Sequence, residues 1–152
     1  MKKLVLLLGL LGFVWASSAM GAECTGCVGS RKVYKNGDVT VSVLVTSDGS
    51  ACTCTLDTDD YENDLLGQYL YTVEVVPGTG SVAPDAAFDL DVEDDNAFHM
   101  VDTDSNSHTT TTWNPGNGTL GQYPKVRTGI VLELGDMGTA GDQATIHLVG
   151  AQ

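Results

Sequence analysis

Phe88-Asp89-Leu90-Asp91-Val92-Glu93-Asp94 alternates apolar and acidic residues along its whole length. Because successive side chains of a β-strand point to opposite faces, this pattern predicts a strand that is buried on one face only. Phe88, Leu90 and Val92 are expected to face a core, and the acids between them are expected to face water. This segment is the clearest indication of the fold class in the chain.

Comparable strand-like runs lie on both sides of this segment, and no helix of normal length is apparent. The runs are Val39–Thr46, Ala51–Leu56, Gly67–Val76, Phe98–Val101, Gly129–Leu134 and Ala144–Val149. Turn-forming residues separate them, which is typical of all-β proteins. We predict an all-β fold, a two-sheet antiparallel β-sandwich, immunoglobulin-like or jelly-roll-like, of about seven to eight strands. A polar connector is expected over Asp57–Leu66 and a long surface loop over Ser105–Gly121.

The N-terminus has the organisation of a secretory signal peptide. Lys2 and Lys3 precede an apolar run over Leu4–Trp15, and small residues then extend to Ala22. The apolar run is shorter than the roughly 20 residues of a membrane span. Residues 1–22 are therefore predicted to be a signal peptide and residues 23–152 a single β-sandwich domain. Export would place the mature protein in a periplasmic or extracellular compartment, with no membrane attachment after cleavage.

The charge balance narrows the classes of partner. The chain has 20 acidic and seven basic residues, for a formal net charge of −13, and two of the basic residues lie in the predicted signal peptide. Nucleic acids and anionic membrane surfaces are therefore not expected as partners, because both are bound through clusters of Lys and Arg. An acidic surface instead suits a soluble protein or one that collects divalent cations.

The four cysteines form two close pairs, Cys24 with Cys27 and Cys52 with Cys54. An even number in an exported chain favours disulfides, with three possible pairings. We favour bridges between the two pairs, which would attach the N-terminal segment to the first sheet. A four-cysteine zinc site and a thioredoxin-type redox motif are the alternatives. The Cys52-Thr53-Cys54 spacing is short for a typical zinc site, and no helical pattern follows Cys27.

The stretch Gly67–Asp95 resembles a family of small phage- and prophage-encoded proteins, whose members run from a Gly-led strand through a Pro-Gly turn to an acidic strand. Gly129–Leu134 and Gly141–Val149 resemble the closing strands of that family, and some members carry signal peptides. The resemblance implies a virion-associated or other structural protein, not an enzyme. The chain departs from the family at Asn96–Asp102, which lacks the expected glycines, and in its four cysteines.

Two acidic segments are candidate calcium sites. Asp102, Asp104 and Asn106 are spaced by two, as are the first oxygen ligands of an EF-hand loop. Ser107 and Trp113 stand where that loop needs Gly and Glu, so a solvated polar loop is the favoured interpretation and a calcium site the alternative. Asp57, Asp59 and Glu62 belong to a second acidic cluster that would hold a cation or form a charged surface. No other cofactor is expected.

A candidate ligand loop carries Trp113, Asn114, Asn117 and Tyr123. Aromatic residues in an exposed loop suit a glycan or a protein partner, but the slightly favoured interpretation is that the rings of Trp113 and Tyr123 cover the end of the core. His99, His108 and His147 are scattered, and a metal site using His99 and His108 would need the fold to join them. No nucleophile motif is present, and catalysis is not expected.

These observations predict an exported, non-catalytic structural or binding protein. The leading hypothesis is a phage- or prophage-derived accessory module that self-assembles or contacts a surface. The alternative is a secreted carbohydrate- or Ca²⁺-dependent adhesion module, and an enzyme is the least favoured hypothesis.

Overall fold

A computed structural model describes residues 22–49, 51–56, 62–85, 88–106, 111–115 and 123–152, so nearly all of the predicted signal peptide lies outside it. Within these ranges there are ten strands, one short helix (α1) and one 3-10 turn. The strands are β1 (Ala22–Glu23), β2 (Gly26–Val33), β3 (Val39–Thr46), β4 (Cys52–Thr55), β5 (Tyr69–Pro77), β6 (Phe88–Asp94), β7 (His99–Asn106), β8 (Thr111–Trp113), β9 (Ile130–Gly135) and β10 (Gln143–Ala151). The helix α1 is Glu62–Leu65, and the 3-10 turn is Gly80–Val82.

The strands form two five-stranded sheets, which confirms the predicted all-β sandwich. Sheet A has the order β1-β4-β9-β6-β7, and sheet B has the order β2-β3-β10-β5-β8. The described strands pair antiparallel throughout, except that the two-residue β1 runs parallel to β4. The strand count exceeds the prediction because β1, β2 and β8 are edge strands. β2 is exposed on most of its length and so lacks the alternation that reveals a half-buried strand.

The core lies between the two sheets and is lined by alternate residues of the inner strands. Phe88, Leu90 and Val92 are buried, as the alternation of β6 predicts, while the acids between them are half-buried on the outer face. Val41 and Ile146 contribute to the same core from sheet B. Complete burial of an aliphatic or aromatic side chain contributes about 1.5–3 kcal/mol, so this alternation is the main source of stability.

Two segments differ from the sequence-based prediction. The predicted loop over Ser105–Gly121 contains the end of β7 and all of β8, because polar Thr- and Ser-rich strands at a sheet edge need no apolar outer face. The predicted polar connector over Asp57–Leu66 contains α1, whose Leu65 packs into the core. No helix in the described ranges is long and apolar enough to cross a membrane.

Both disulfides join the two cysteine pairs, as favoured from the sequence. Cys24 bonds to Cys52 and Cys27 to Cys54, with Cα–Cα distances of 4.9 and 5.9 Å, so none of the four thiols is free for zinc or redox chemistry. Cys27 lies in β2 of sheet B and Cys54 in β4 of sheet A. The second bridge therefore links the sheets covalently. Two disulfides are compatible with an extracellular or secreted protein.

Candidate functional site

A groove of about 580 Å³ lies between the turn that joins β6 to β7 and the segment that leads into β9. This volume falls within the range of about 300–1,000 Å³ that is usual for ligand sites. The lining side chains combine aromatic rings, two cations and a few polar groups. They are Tyr69, Asp94, Asn96, Phe98, Tyr123, Pro124, Lys125 and Arg127.

One wall of the groove is a short extended segment that pairs with the start of β5. The Leu70 amide donates to the Pro124 carbonyl at 2.9 Å, and the Val126 amide donates to the Gln68 carbonyl at the same distance. Val126 is fully buried. Because side chains alternate along an extended segment, anchoring Val126 in the core presents Lys125 and Arg127 to solvent.

The opposite wall is a tight turn that is held by its own carboxylates. The Asp94 side chain accepts hydrogen bonds from the amides of Asn96 (2.9 Å) and Phe98 (3.1 Å), and Ala97 has φ of +56°. The Gly129 amide donates to Asp95 at 2.9 Å, which ties the turn to the residue before β9. The turn leaves the Phe98 ring 58% exposed beside the groove. This wall is therefore ordered before any ligand arrives.

Tyrosine rings give the groove its shape on the β5 side. Lys125 Nζ lies 5.6 Å from the centre of the Tyr69 ring, and Tyr123 meets Tyr71 edge to face at 6.4 Å. A β-bulge lies at Tyr71, because the pairing with β10 moves from Thr72 to Leu70 and leaves Tyr71 unpaired. Bulges re-aim side chains, and here the bulged residue is the one that contacts Tyr123. Burial, followed by the charge of Asp38, raises the pKa of Tyr71.

The predicted ligand loop is only partly reproduced by this geometry. Tyr123 lines the groove, but Trp113 lies in β8 and packs against the core, which is the slightly favoured interpretation for that ring. Asn114 contacts Thr72, its Oδ1 accepting from the threonine hydroxyl at 3.4 Å, and Asn117 falls outside the described residues. Placing Trp113 in an exposed loop was therefore wrong, because β8 pairs it with the inward-facing Val73.

As a set, the other groove residues carry no sequence pattern that predicts a shared site. Tyr69, Phe98, Lys125 and Arg127 belong to three separate segments, which only strand pairing brings together. One local signal was available, since Tyr123 to Arg127 places two of the few basic residues at alternate positions next to an aromatic ring.

A second group of polar side chains lies on the outer face of sheet A. His99 Nδ1 lies 2.5 Å from Asp91 Oδ2 and 3.9 Å from Glu93 Oε2. Burial raises the pKa of Asp91, and the hydrogen bond with His99 opposes that rise. The same hydrogen bond, together with the charge of Asp91, raises the pKa of His99. Burial and the charge of Glu133 raise the pKa of Glu93.

The predicted calcium segments do not have the expected conformation in the described residues. Asp102, Asp104 and Asn106 all lie in β7, whose backbone is extended and paired with β6. Neither the favoured solvated loop nor the EF-hand-like alternative forms there, and an extended strand cannot wrap its residues around one ion. Glu62 is the first residue of α1, and Asp57 and Asp59 fall outside the described residues. His108 also falls outside them, whereas His147 contacts Ser42 at 2.7 Å.

Comparison of the chain with protein-family models, with curated proteins and with solved structures gives no match. The resemblance to small phage-encoded proteins therefore stays a prediction based on the residues quoted above.

Proposed function

We propose that this chain is an exported, non-catalytic binding module whose groove beside Tyr69 and Tyr123 takes an acidic saccharide. The observation that carries the proposal is the composition of the groove in so acidic a chain. Two of the chain's seven basic residues, Lys125 and Arg127, line it together with two half-buried tyrosine rings and the exposed Phe98 ring.

Each component of the groove suits one part of a charged sugar. Tyr69 and Tyr123 offer an apolar ring face with a polar hydroxyl tip, which matches the mixed character of a pyranose ring. Arg127 has a planar guanidinium that can form two parallel hydrogen bonds with a carboxylate or sulfate. Asn96 supplies an amide that can both donate to and accept from sugar hydroxyls.

Electrostatics also favours this position for an anionic ligand. The formal net charge of −13 repels anions from most of the surface, and Lys125 with Arg127 makes the groove one of two regions, with Arg31, Lys32 and Lys35, where basic side chains offset that repulsion. The same repulsion lowers the affinity that contacts alone would provide and makes binding sensitive to salt.

The groove supports binding more than catalysis. Its described lining residues include no serine, cysteine or histidine that could act as a nucleophile or a general base. The Asp94 carboxylate is occupied by the amides of Asn96 and Phe98.

Calorimetric titration of the purified exported protein with acidic and neutral oligosaccharides of equal length tests the proposal. The acidic ligand should bind at least about tenfold more tightly, and Tyr123→Ala and Arg127→Ala should each remove about tenfold or more of that affinity. Lys32 and Tyr34 provide matched controls, because Lys32 Nζ lies 4.8 Å from the Tyr34 ring at a site outside the groove. Equal binding of neutral and acidic ligands, or equal losses in Lys32→Ala and Tyr34→Ala, would contradict the proposal.

Self-assembly is the second candidate, and the edge of sheet B favours it. β2 is an eight-residue edge strand, and its Val28 is 65% exposed beside Leu44 of β3, which is 37% exposed. A long edge strand with exposed apolar residues is a template for pairing with a second copy. This candidate agrees with the assembly role that the phage-family resemblance implies. Sedimentation velocity should show oligomers that Val28→Lys dissociates, and a monomer at every concentration would exclude it.

A further inference from the structure

Three metal-binding side chains of two chemical kinds meet on the outer face of sheet A. Asp91 and Glu93 alternate along β6 and therefore share that face, and His99 of β7 is the cross-strand partner of Glu93. One ligand atom from each residue lies within 4.8 Å of the other two. Two carboxylates and an imidazole at this separation form a set that a single cation can reach.

An unsatisfied oxygen on the Asp91 carboxylate is an independent indication of a missing ligand. Asp91 Oδ2 contacts His99, but Asp91 Oδ1 is buried and has no hydrogen-bond partner among the described residues. A buried carboxylate oxygen without a partner is costly, and a cation would satisfy it.

The surrounding strands add negative charge in register with Asp91. Its cross-strand partners are Glu133 on β9 and Asp102 on β7, so three carboxylates stand side by side on neighbouring strands. Like charges directly opposite each other destabilise a sheet. A bound cation at Asp91 would relieve this repulsion from both sides.

We propose that Asp91, Glu93 and His99 together bind one divalent first-row transition-metal ion, of which Zn²⁺ is the representative. The imidazole selects this class, because Ca²⁺ and Mg²⁺ prefer sites made entirely of oxygen ligands. Binding would replace the proton shared between His99 Nδ1 and Asp91 Oδ2 with the metal, and that proton would pass to solvent. The His99 side chain is 58% exposed, so the remaining coordination positions would face water.

The site is distinct from the segments that the sequence marked for calcium. Of the residues named there, Asp102 is the cross-strand neighbour of Asp91, and its part is to add negative charge beside Asp91. The alternation of β6 is enough to show that Asp91 and Glu93 lie on the same face of the strand. His99 could not be placed beside them in this way, because the β6–β7 register decides which of these acids it meets.

Titration of the disulfide-intact, purified exported protein with ZnCl₂ and CaCl₂ tests the proposal, since no free thiol competes for zinc. One Zn²⁺ should bind per chain, at least about tenfold more tightly than Ca²⁺. His99→Gln and Asp91→Asn should each weaken zinc binding by about tenfold or more. In nuclear magnetic resonance spectra, zinc should shift the His99 ring signals and leave those of His147 in place.

Two control variants separate this site from general charge effects. His147→Gln removes an imidazole that contacts Ser42, and Asp136→Asn removes an exposed carboxylate at a φ of +52° that asparagine tolerates. Both should bind zinc as the unmodified protein does. Glu93→Gln provides a third ligand variant should Asp91→Asn fail to fold. Unchanged zinc affinity in His99→Gln, losses in the controls as large as in the ligand variants, or equal affinity for Ca²⁺ would overturn the proposal.

Discussion

Removal of one disulfide at a time should reveal that the two bridges are thermodynamically coupled. The bridges interleave along the chain, because Cys24 and Cys27 bond to Cys52 and Cys54 in the same order. We consider Ala substitution of both cysteines in either bridge, and of all four. Alanine is preferable to serine because Cys52 and Cys54 are buried.

The magnitude follows from the loops that the bridges close. Sequence separations of 28 and 27 correspond to about 3.5 kcal/mol for either bridge acting alone, in the chain-entropy model. Once one bridge exists, the second closes a ring of only about seven residues that runs through the first, which is worth about 2.4 kcal/mol. Loss of one bridge should therefore cost about 2.4 kcal/mol and loss of both about 6 kcal/mol, an excess of about 1.2 kcal/mol over the sum.

Urea unfolding of the four proteins under non-reducing conditions, followed by circular dichroism, measures this excess. The lost packing of the sulfur atoms adds to the free energy that each single-bridge variant loses. It cancels to first order when the loss in the variant without bridges is compared with the sum of the two single losses. A stabilising osmolyte at one concentration throughout would keep the variant without bridges folded. If removing both bridges lowers the free energy of unfolding by only the sum of the two single losses, the coupling is absent and the reasoning is refuted. It is also refuted if removing one bridge costs about 3.5 kcal/mol in addition to the free energy lost with the packing of its sulfur atoms.

Four further substitutions test packing and the placement of side chains. Trp113→Ala should lower the free energy of unfolding in urea by about 3 kcal/mol, the lower end of the range for core tryptophans because the ring is half-buried, and it should leave saccharide affinity unchanged because the ring packs against the core. Leu132→Ala should cost about 2–5 kcal/mol by the same measurement, whereas Leu44→Ala, at an exposed position, should cost less than about 1 kcal/mol. Gly78→Ala should lower the melting temperature measurably, because a Cβ there would lie 2.4 Å from the Val82 carbonyl oxygen, and over-packing costs about 1–3 kcal/mol. Equal effects at Leu132 and Leu44, or no effect at Gly78, would contradict the packing described above.

Features that depend on neighbouring residues were predictable from the sequence. The alternation over Phe88–Asp94 identifies both the strand and its buried face, because side-chain direction in a strand is set by the parity of the position. The predicted runs Val39–Thr46 and Ala144–Val149 correspond to β3 and β10 for the same reason. The even cysteine count, in two close pairs, favoured the bridges that form.

Edge strands and loops were predicted less well. β2 is exposed along most of its length, and β8 is a three-residue strand of polar and half-buried side chains. Such strands are held by backbone hydrogen bonds to a neighbour, which leave no periodic apolar signature. The misplacement of Trp113 in a loop has this cause.

The sequence by itself determined the fold class and the buried face of the central strands, and it favoured disulfides between the two cysteine clusters without fixing which cysteine bonds to which. The alternation of apolar and polar residues and the number of cysteines can both be seen in the sequence without knowledge of which segments pair in the fold. The groove and the Asp91–Glu93–His99 cluster were decided only by tertiary structure. The groove requires Tyr69 to pair with Lys125 across 56 positions of sequence, and the cluster requires the register that sets His99 opposite Glu93. Register is fixed by the burial of entire strands against the opposing sheet, so it is a property of the assembled sandwich and not of any one segment.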